Sequence, residues 1–211
     1  HCKEKTAYTP EVARADCAYV RATIGKPIDA VFCGSDYGKD SFWAVCYPEC
    51  AFVSFPRNEM SSSQIRKDPY GHWDWIPGVA RPHFVKKVLL VGGESVGKST
   101  LTINLANRFN TNYIDEAGRD ISLRSGDDRL MLQQDYTEIL LNQKLHEIEA
   151  MKHSNKVLFI DTDALITRFY LEFLDKETSQ NNTVLADAID GINSYDLILF
   201  LEPDVKFVQD G

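Results

Sequence analysis

The residues best suited to chemistry are Gly92-Gly93-Glu94-Ser95-Val96-Gly97-Lys98-Ser99, followed by Thr100. They fit G-x-x-x-x-G-K-[ST] between an apolar run at residues 88–91 and an amphipathic stretch at residues 99–109. In that setting Gly92 and Gly97 let the backbone turn its N–H groups toward phosphate oxygens, and the following helix adds the positive end of its dipole. Lys98 would reach the β and γ phosphates of a nucleotide, and Ser99 would hold Mg2+. The same letters spell G-x-S-x-G, the strained turn that presents a serine nucleophile, with Ser95 in that role. That chemistry needs an Asp and then a His downstream; no His follows Asp161, and His146 and His153 both fall within an expected long helix.

Carboxylates follow where phosphoryl transfer uses them. The run at residues 157–160 reads as a buried strand, and Asp161 at its end is the candidate for the metal side. Asp163 reads either as a second site carboxylate or as the N-cap of the next helix. Asp115, Glu116 and Arg119 close another short strand pattern; a carboxylate there can take the proton of a substrate hydroxyl, or simply open a helix. Earlier in the chain, Ser61, Ser62, Ser63 and Arg66 form either a phosphate clamp or an ordinary helix cap. Gly34-Ser35-Asp36 at the end of a short apolar run is a candidate contact loop or a plain turn.

These positions need elements to hold them. Residues 9–23 have helical apolar spacing that stops at Gly25-Lys26-Pro27, and residues 30–33 and 51–55 read as strands. Residues 61–82 are rich in Trp and Pro, and the character changes again at Lys87, so a domain boundary is expected near residues 80–86. Beyond it, apolar runs at residues 88–91, 112–114, 157–160 and 197–201 alternate with amphipathic stretches at 99–109, 128–153, 163–174 and 184–192. That alternation implies an α/β unit with a parallel sheet and helices on both faces.

The 211 residues are 44% hydrophobic and 26% charged, enough for a buried core and against a disordered or low-complexity chain. The net charge of −8 argues against wrapping nucleic acid. It is local: residues 1–85 carry ten basic and ten acidic side chains, residues 86–211 thirteen and twenty-one. Five cysteines without a CxxC pair suit free thiols in a reducing cytoplasm, and no apolar run approaches the roughly 20 residues of a membrane span.

M-S-S-S-Q-I-R at residues 60–66, then D-P-Y-G-H-W-D-W-I-P, R-P-H-F-V-K-K, G-G-E-S-V-G-K-S-T-L, E-A-G-R-D, F-I-D-T-D and F-V-Q-D-G occur in one order. That succession resembles the bifunctional NadR-type family, in which a nicotinamide mononucleotide adenylyltransferase is joined to a ribosylnicotinamide kinase. The resemblance implies the C-terminal part of a Rossmann-like nucleotidyltransferase domain at residues 1–82, followed by a P-loop kinase domain at residues 83–211. It implies ATP and Mg2+ as cofactors, and ribosylnicotinamide and nicotinamide mononucleotide as partners, with NAD as the final product. Ser61, Ser62 and Arg66 would meet the ATP triphosphate of the adenylyltransferase, and Gly34-Ser35-Asp36 would lie near its adenosine. Lys98 and Ser99 would serve the kinase, with Asp161 or Glu116 as its base. The adenylyltransferase signature H-x-G-H is absent, and the chain ends at F-V-Q-D-G, so both activities are expected to be impaired in this stretch alone. A homo-oligomer is compatible with this reading. The alternatives are a nucleotide-sensing regulator of NAD genes and a P-loop kinase for another nucleoside.

Overall fold

The computed structural model describes residues 9–38, 41–56, 58–126, 130–174 and 180–204, with residues 42 and 43 described by backbone alone. Asp128, at the expected start of the long helix, and the F-V-Q-D-G segment lie outside the described residues.

The chain divides into two compact units, His1–Ser62 and Ser63–Gly211. In the first, helix α1 (Pro10–Ile24) starts at Thr9, whose hydroxyl accepts from Val12 N, and ends on Gly25 in the left-handed conformation. Strands β1 (Ala30–Gly34) and β2 (Ala51–Phe55) pair in parallel, joined through the short helix α2 (Phe42–Cys46). Cys17, Cys33, Cys46 and Cys50 are free thiols. A further short helix, α3 (Ser62–Lys67), begins where the first unit closes.

The second unit is built on strands β3 (Lys86–Gly92), β4 (Tyr113–Ile114), β5 (Val157–Asp161) and β6 (Leu197–Leu201), all parallel, in the order β4-β5-β3-β6. Helices α4 (Lys98–Phe109), α5 (Ala117–Ser125), α6 (Gln133–His153), α7 (Ala164–Phe173) and α8 (Asn181–Ile192) fill the connections. Side chains alternate across β3, as the period of two requires. Val88 and Leu90 pack with Ala106 of α4 and Phe159. Leu89 points the other way, into a cluster with Ile114, Leu158 and Ile160.

That cluster moves the expected boundary. Trp73, Ile76 and Val85 are buried in it, with Ile65, Tyr70, Ala80 and Phe84 packed alongside. Two 3-10 turns, Trp73–Trp75 and Gly78–His83, carry the segment across the sheet face. Residues 63–85 therefore pack with the second unit, and the division falls after Ser62 rather than near residues 80–86. The shift follows from amphipathic need: the sheet face needs a cover, and the Trp-rich stretch supplies it.

Among the described residues no helix is long and apolar enough to cross a membrane.

Candidate active site

A parallel sheet gathers its functional groups at the carboxyl ends of its strands, and in the second unit the candidate residues collect there. Strand β3 ends on Gly92, whose φ of 153° is paired with tight packing: a Cβ there would lie 2.6 Å from the Leu201 carbonyl oxygen. Gly97, at φ 87°, precedes α4, and open space surrounds the point where a Cβ would sit. The loop between them stands at the N-terminus of a 12-residue helix, where the unpaired N–H groups of the first turn favour an anion. Val96 is buried beneath the loop, while Gly93 and Glu94 are exposed on it and Thr100 is exposed in the first turn of α4. Lys98 Nζ donates to the Gly93 carbonyl at 2.8 Å, so the ammonium lies across the loop.

Ser99 Oγ donates to Asp161 Oδ2 at 2.5 Å and accepts from Arg119 at 2.9 Å. Asp161 is fully buried, and among the described residues its Oδ1 has no hydrogen-bond partner. Burial pushes its carboxyl above the ordinary carboxylate range, against the lowering by the Ser99 hydrogen bond and by the charges of Lys98 and Arg119. A divalent cation fits here. A buried carboxylate oxygen in want of a partner, next to a serine hydroxyl, is a hard oxygen donor set that a cation would stabilise. No group of three or more His, Cys, Asp or Glu side chains among the described residues could hold a metal by itself. Mg2+ needs no such cage, because it commonly takes one or two protein ligands and completes its shell with water and phosphate.

Beside the loop lies a cavity of about 210 Å³. Glu94, Glu116, Arg119 and Asp163 bring charge to it, and Tyr170 and the buried Tyr136 stand in its wall. Asp161 is not among its lining residues, whereas Glu116 is. The two carboxylates whose roles the sequence left open are thus on different sides, Asp161 with Ser99 and Glu116 with the cavity. Asp163 caps α7, its carboxylate accepting from Leu165 N at 3.1 Å and Ile166 N at 3.4 Å, which is the capping reading of that residue. The Tyr170 hydroxyl donates to Glu94 Oε1 at 2.9 Å, tying α7 to the loop.

The serine-hydrolase alternative has no support here. No His lines the cavity beside the loop that carries Ser95. His146 borders a separate groove with Asp120, Arg124 and Glu138, and His153 faces Glu149 on an exposed surface.

Ser61 and Ser62 close the first unit, and Arg66 lies within α3, its guanidinium donating to Ser63 Oγ at 3.4 Å. The Gly34-Ser35-Asp36 loop is a turn, with Ser35 N donating to the Phe55 carbonyl and Tyr37 N to that of Gly34.

Sequence reasoning missed Gln143 and the two cavity tyrosines. Tyr136, Ile139 and Gln143 follow one another at helical spacing, so a polar residue on an otherwise apolar stripe was the available signal.

Comparison with known proteins gives a consistent picture. Residues 87–211 match the model of the AAA domain family. The trifunctional NAD biosynthesis/regulator proteins NadR of Salmonella typhimurium and Escherichia coli are 38% and 39% identical over 166 residues, 78% of this chain. The chain spans 38% of the length of those curated relatives. Crystal structures of NadR proteins, one in complex with NR and one with NAD and AMP-PNP, share the fold, with TM-scores of 0.75 and 0.73. They are 24% identical, and the match covers 93% of this chain and 58% and 60% of theirs. Through residues 87–211, more than half of its length, the chain belongs to the AAA domain family, with NadR proteins as its homologues.

Proposed function

We propose that the second unit transfers the γ phosphoryl group of ATP to the ribose 5'-hydroxyl of ribosylnicotinamide, giving nicotinamide mononucleotide and ADP. An adenylyltransferase, to which the first unit corresponds, would join that product to the AMP part of ATP, giving NAD and pyrophosphate. The observation that carries the kinase reading is the pairing of a phosphate loop with an acceptor cavity, Glu116 lining the cavity while Asp161 stays with Ser99. The homologues' role in NAD biosynthesis, and the NR held by one of the related structures, support that choice of nucleoside.

Each residue then has a role. The backbone N–H groups of residues 93–98 and the ammonium of Lys98 hold the β and γ phosphates. Ser99 and Asp161 would hold Mg2+, which when bound neutralises charge on the transferring group. Glu116 accepts the proton of the substrate hydroxyl. Arg119, already on Ser99, places a fixed positive charge between the loop and the cavity, where charge develops during transfer. Tyr170 would bring an aromatic side chain near the nicotinamide cation, and Glu94 adds a carboxylate to the same wall. Ser61 and Ser62 belong, in this reading, to the ATP contacts of the adenylyltransferase, whereas Arg66 falls in the second unit.

The test is a phosphoryl-transfer assay on the natural protein with ATP, Mg2+ and ribosylnicotinamide, with thymidine and uridine in parallel. Turnover of ribosylnicotinamide is expected, and Lys98→Ala should abolish it while leaving adenylyl transfer largely intact. Turnover of a pyrimidine nucleoside alone would overturn the assignment. The homologues are also named regulators, so a nucleotide-sensing role is the second reading; nucleotide binding without turnover of any nucleoside would favour it.

A further inference from the structure

The acceptor-side and metal-side carboxylates sit on different elements, Glu116 just before α5 and Asp161 at the end of β5. One side chain from a third element reaches both. Gln143, on α6, accepts with Oε1 from Ala117 N at 3.1 Å, the amide that follows Glu116. Its Nε2 donates to the Asp161 carbonyl at 3.3 Å and to the Thr162 carbonyl at 3.2 Å. The orientation of the amide is set by these partners, since only its oxygen can meet an N–H and only its nitrogen can meet two carbonyls.

A second observation marks the same place. Thr162 has φ 61°, the left-handed region that disfavours a β-branched residue. Such a conformation persists where its surroundings hold it, and here both carbonyls of the turn face Gln143 while Thr162 N donates to the Leu90 carbonyl at 3.2 Å. The turn directs Asp161 toward Ser99 and Asp163 toward the cavity and α7.

We infer that Gln143 is a positioning residue for phosphoryl transfer, a two-ended clamp that sets the separation of Glu116 from Asp161. This rests on the kinase reading above. Gln143 is partly buried in the cavity wall, and its hydrogen bonds run to α5 and to the turn after β5 rather than to the phosphate loop. Its loss should therefore slow the chemical step without weakening ATP binding. Misplacement by an ångström can cost up to about 100-fold in rate.

The experiment compares the natural protein with Gln143→Leu and Gln143→Glu, measuring kcat, KM for each substrate and hydrogen exchange across residues 116–121 and 161–164. Gln143→Leu should lower kcat roughly 10-fold or more with KM for ATP changed less than about twofold, and exchange at Ala117 should quicken while α4 is unaffected. Gln143→Glu keeps the acceptor for Ala117 N but turns a carboxylate toward two carbonyls. It should restore protection at Ala117 and leave kcat low. An unchanged kcat in Gln143→Leu, a parallel loss of ATP affinity, or wild-type kcat in Gln143→Glu would each overturn the clamp. If the natural protein turns over no ribosylnicotinamide, the substrate reading fails instead, and exchange at Ala117 still decides whether Gln143 holds α5: unchanged exchange in Gln143→Leu overturns the clamp, faster exchange supports it.

Discussion

Asp161 and Glu116 carry the same functional group, yet their surroundings differ, and the proposed kinase reading gives them different work. Asp161 is fully buried against Ser99 with one oxygen in want of a partner, and Glu116 faces a cavity large enough for part of a nucleoside. Asp161→Asn removes the charge that would hold a cation, so the concentration of Mg2+ needed for half-maximal rate should rise sharply. Glu116→Gln leaves that group intact and should lower kcat while the Mg2+ requirement stays near wild type. General bases typically contribute about 100- to 10,000-fold, and a drop in that range is expected. A Mg2+ titration of both variants checks the pair; a shifted Mg2+ requirement in Glu116→Gln alone would reverse the assignment. Gly92 belongs to the same scale. Its Cβ would lie 2.6 Å from the Leu201 carbonyl oxygen, so the residue is required by sheet packing as well as by the loop.

At the scale of elements, the strands were legible because a buried parallel sheet needs short, continuous apolar runs, and each run expected in the second unit is a strand. Helix α5 was legible only as an open choice at Asp115 and Glu116, because its nine residues span too few turns for a clear apolar stripe. The cross-links between elements were not legible at all, since a hydrogen bond between residues 109 positions apart leaves no local pattern. Asp196 is the instance. Just before β6 its carboxylate accepts from Lys86 Nζ at 2.6 Å and from Lys87 N at 2.9 Å, and its own N–H donates to the Lys87 carbonyl at 2.9 Å. Burial would raise the Asp196 carboxyl, but these donors outweigh it and hold it below the ordinary value. A carboxyl lowered in the folded state stabilises above its unfolded pKa, near 4, and loses that contribution as pH falls through the folded value. Asp196→Asn should therefore be less stable than wild type at pH 7, with the gap closing as pH drops below about 4. Thermal unfolding at a series of pH values measures it, and a gap independent of pH would leave the effect to geometry rather than charge.

At the scale of the whole molecule, the change of sequence character near residue 82 and the boundary between the compact units after Ser62 disagree. Composition reports what a segment is made of, not which surface it covers. The Trp and Pro content of residues 61–82 reads as a junction, while Trp73 and Ile76 are 6% and 3% exposed in the core under β3 and β5. The Tyr70 and Trp73 rings stack, and Arg81 lies over the Trp73 ring at 5.5 Å, so the segment is fastened from several sides. Had it belonged to the first unit, removing the Trp73 side chain would leave the P-loop sheet undisturbed. Because it covers that sheet, Trp73→Ala opens a cavity against Leu89, Leu158 and Ile160, and truncating a buried aromatic costs about 3–5 kcal/mol. Denaturant unfolding followed by hydrogen exchange should place that loss in β3 and β5, with α1, β1 and β2 unchanged. Trp75 is only partly buried, and Trp75→Ala should cost markedly less. Equal losses for the two tryptophans, or a loss confined to residues 9–56, would return the segment to the first unit.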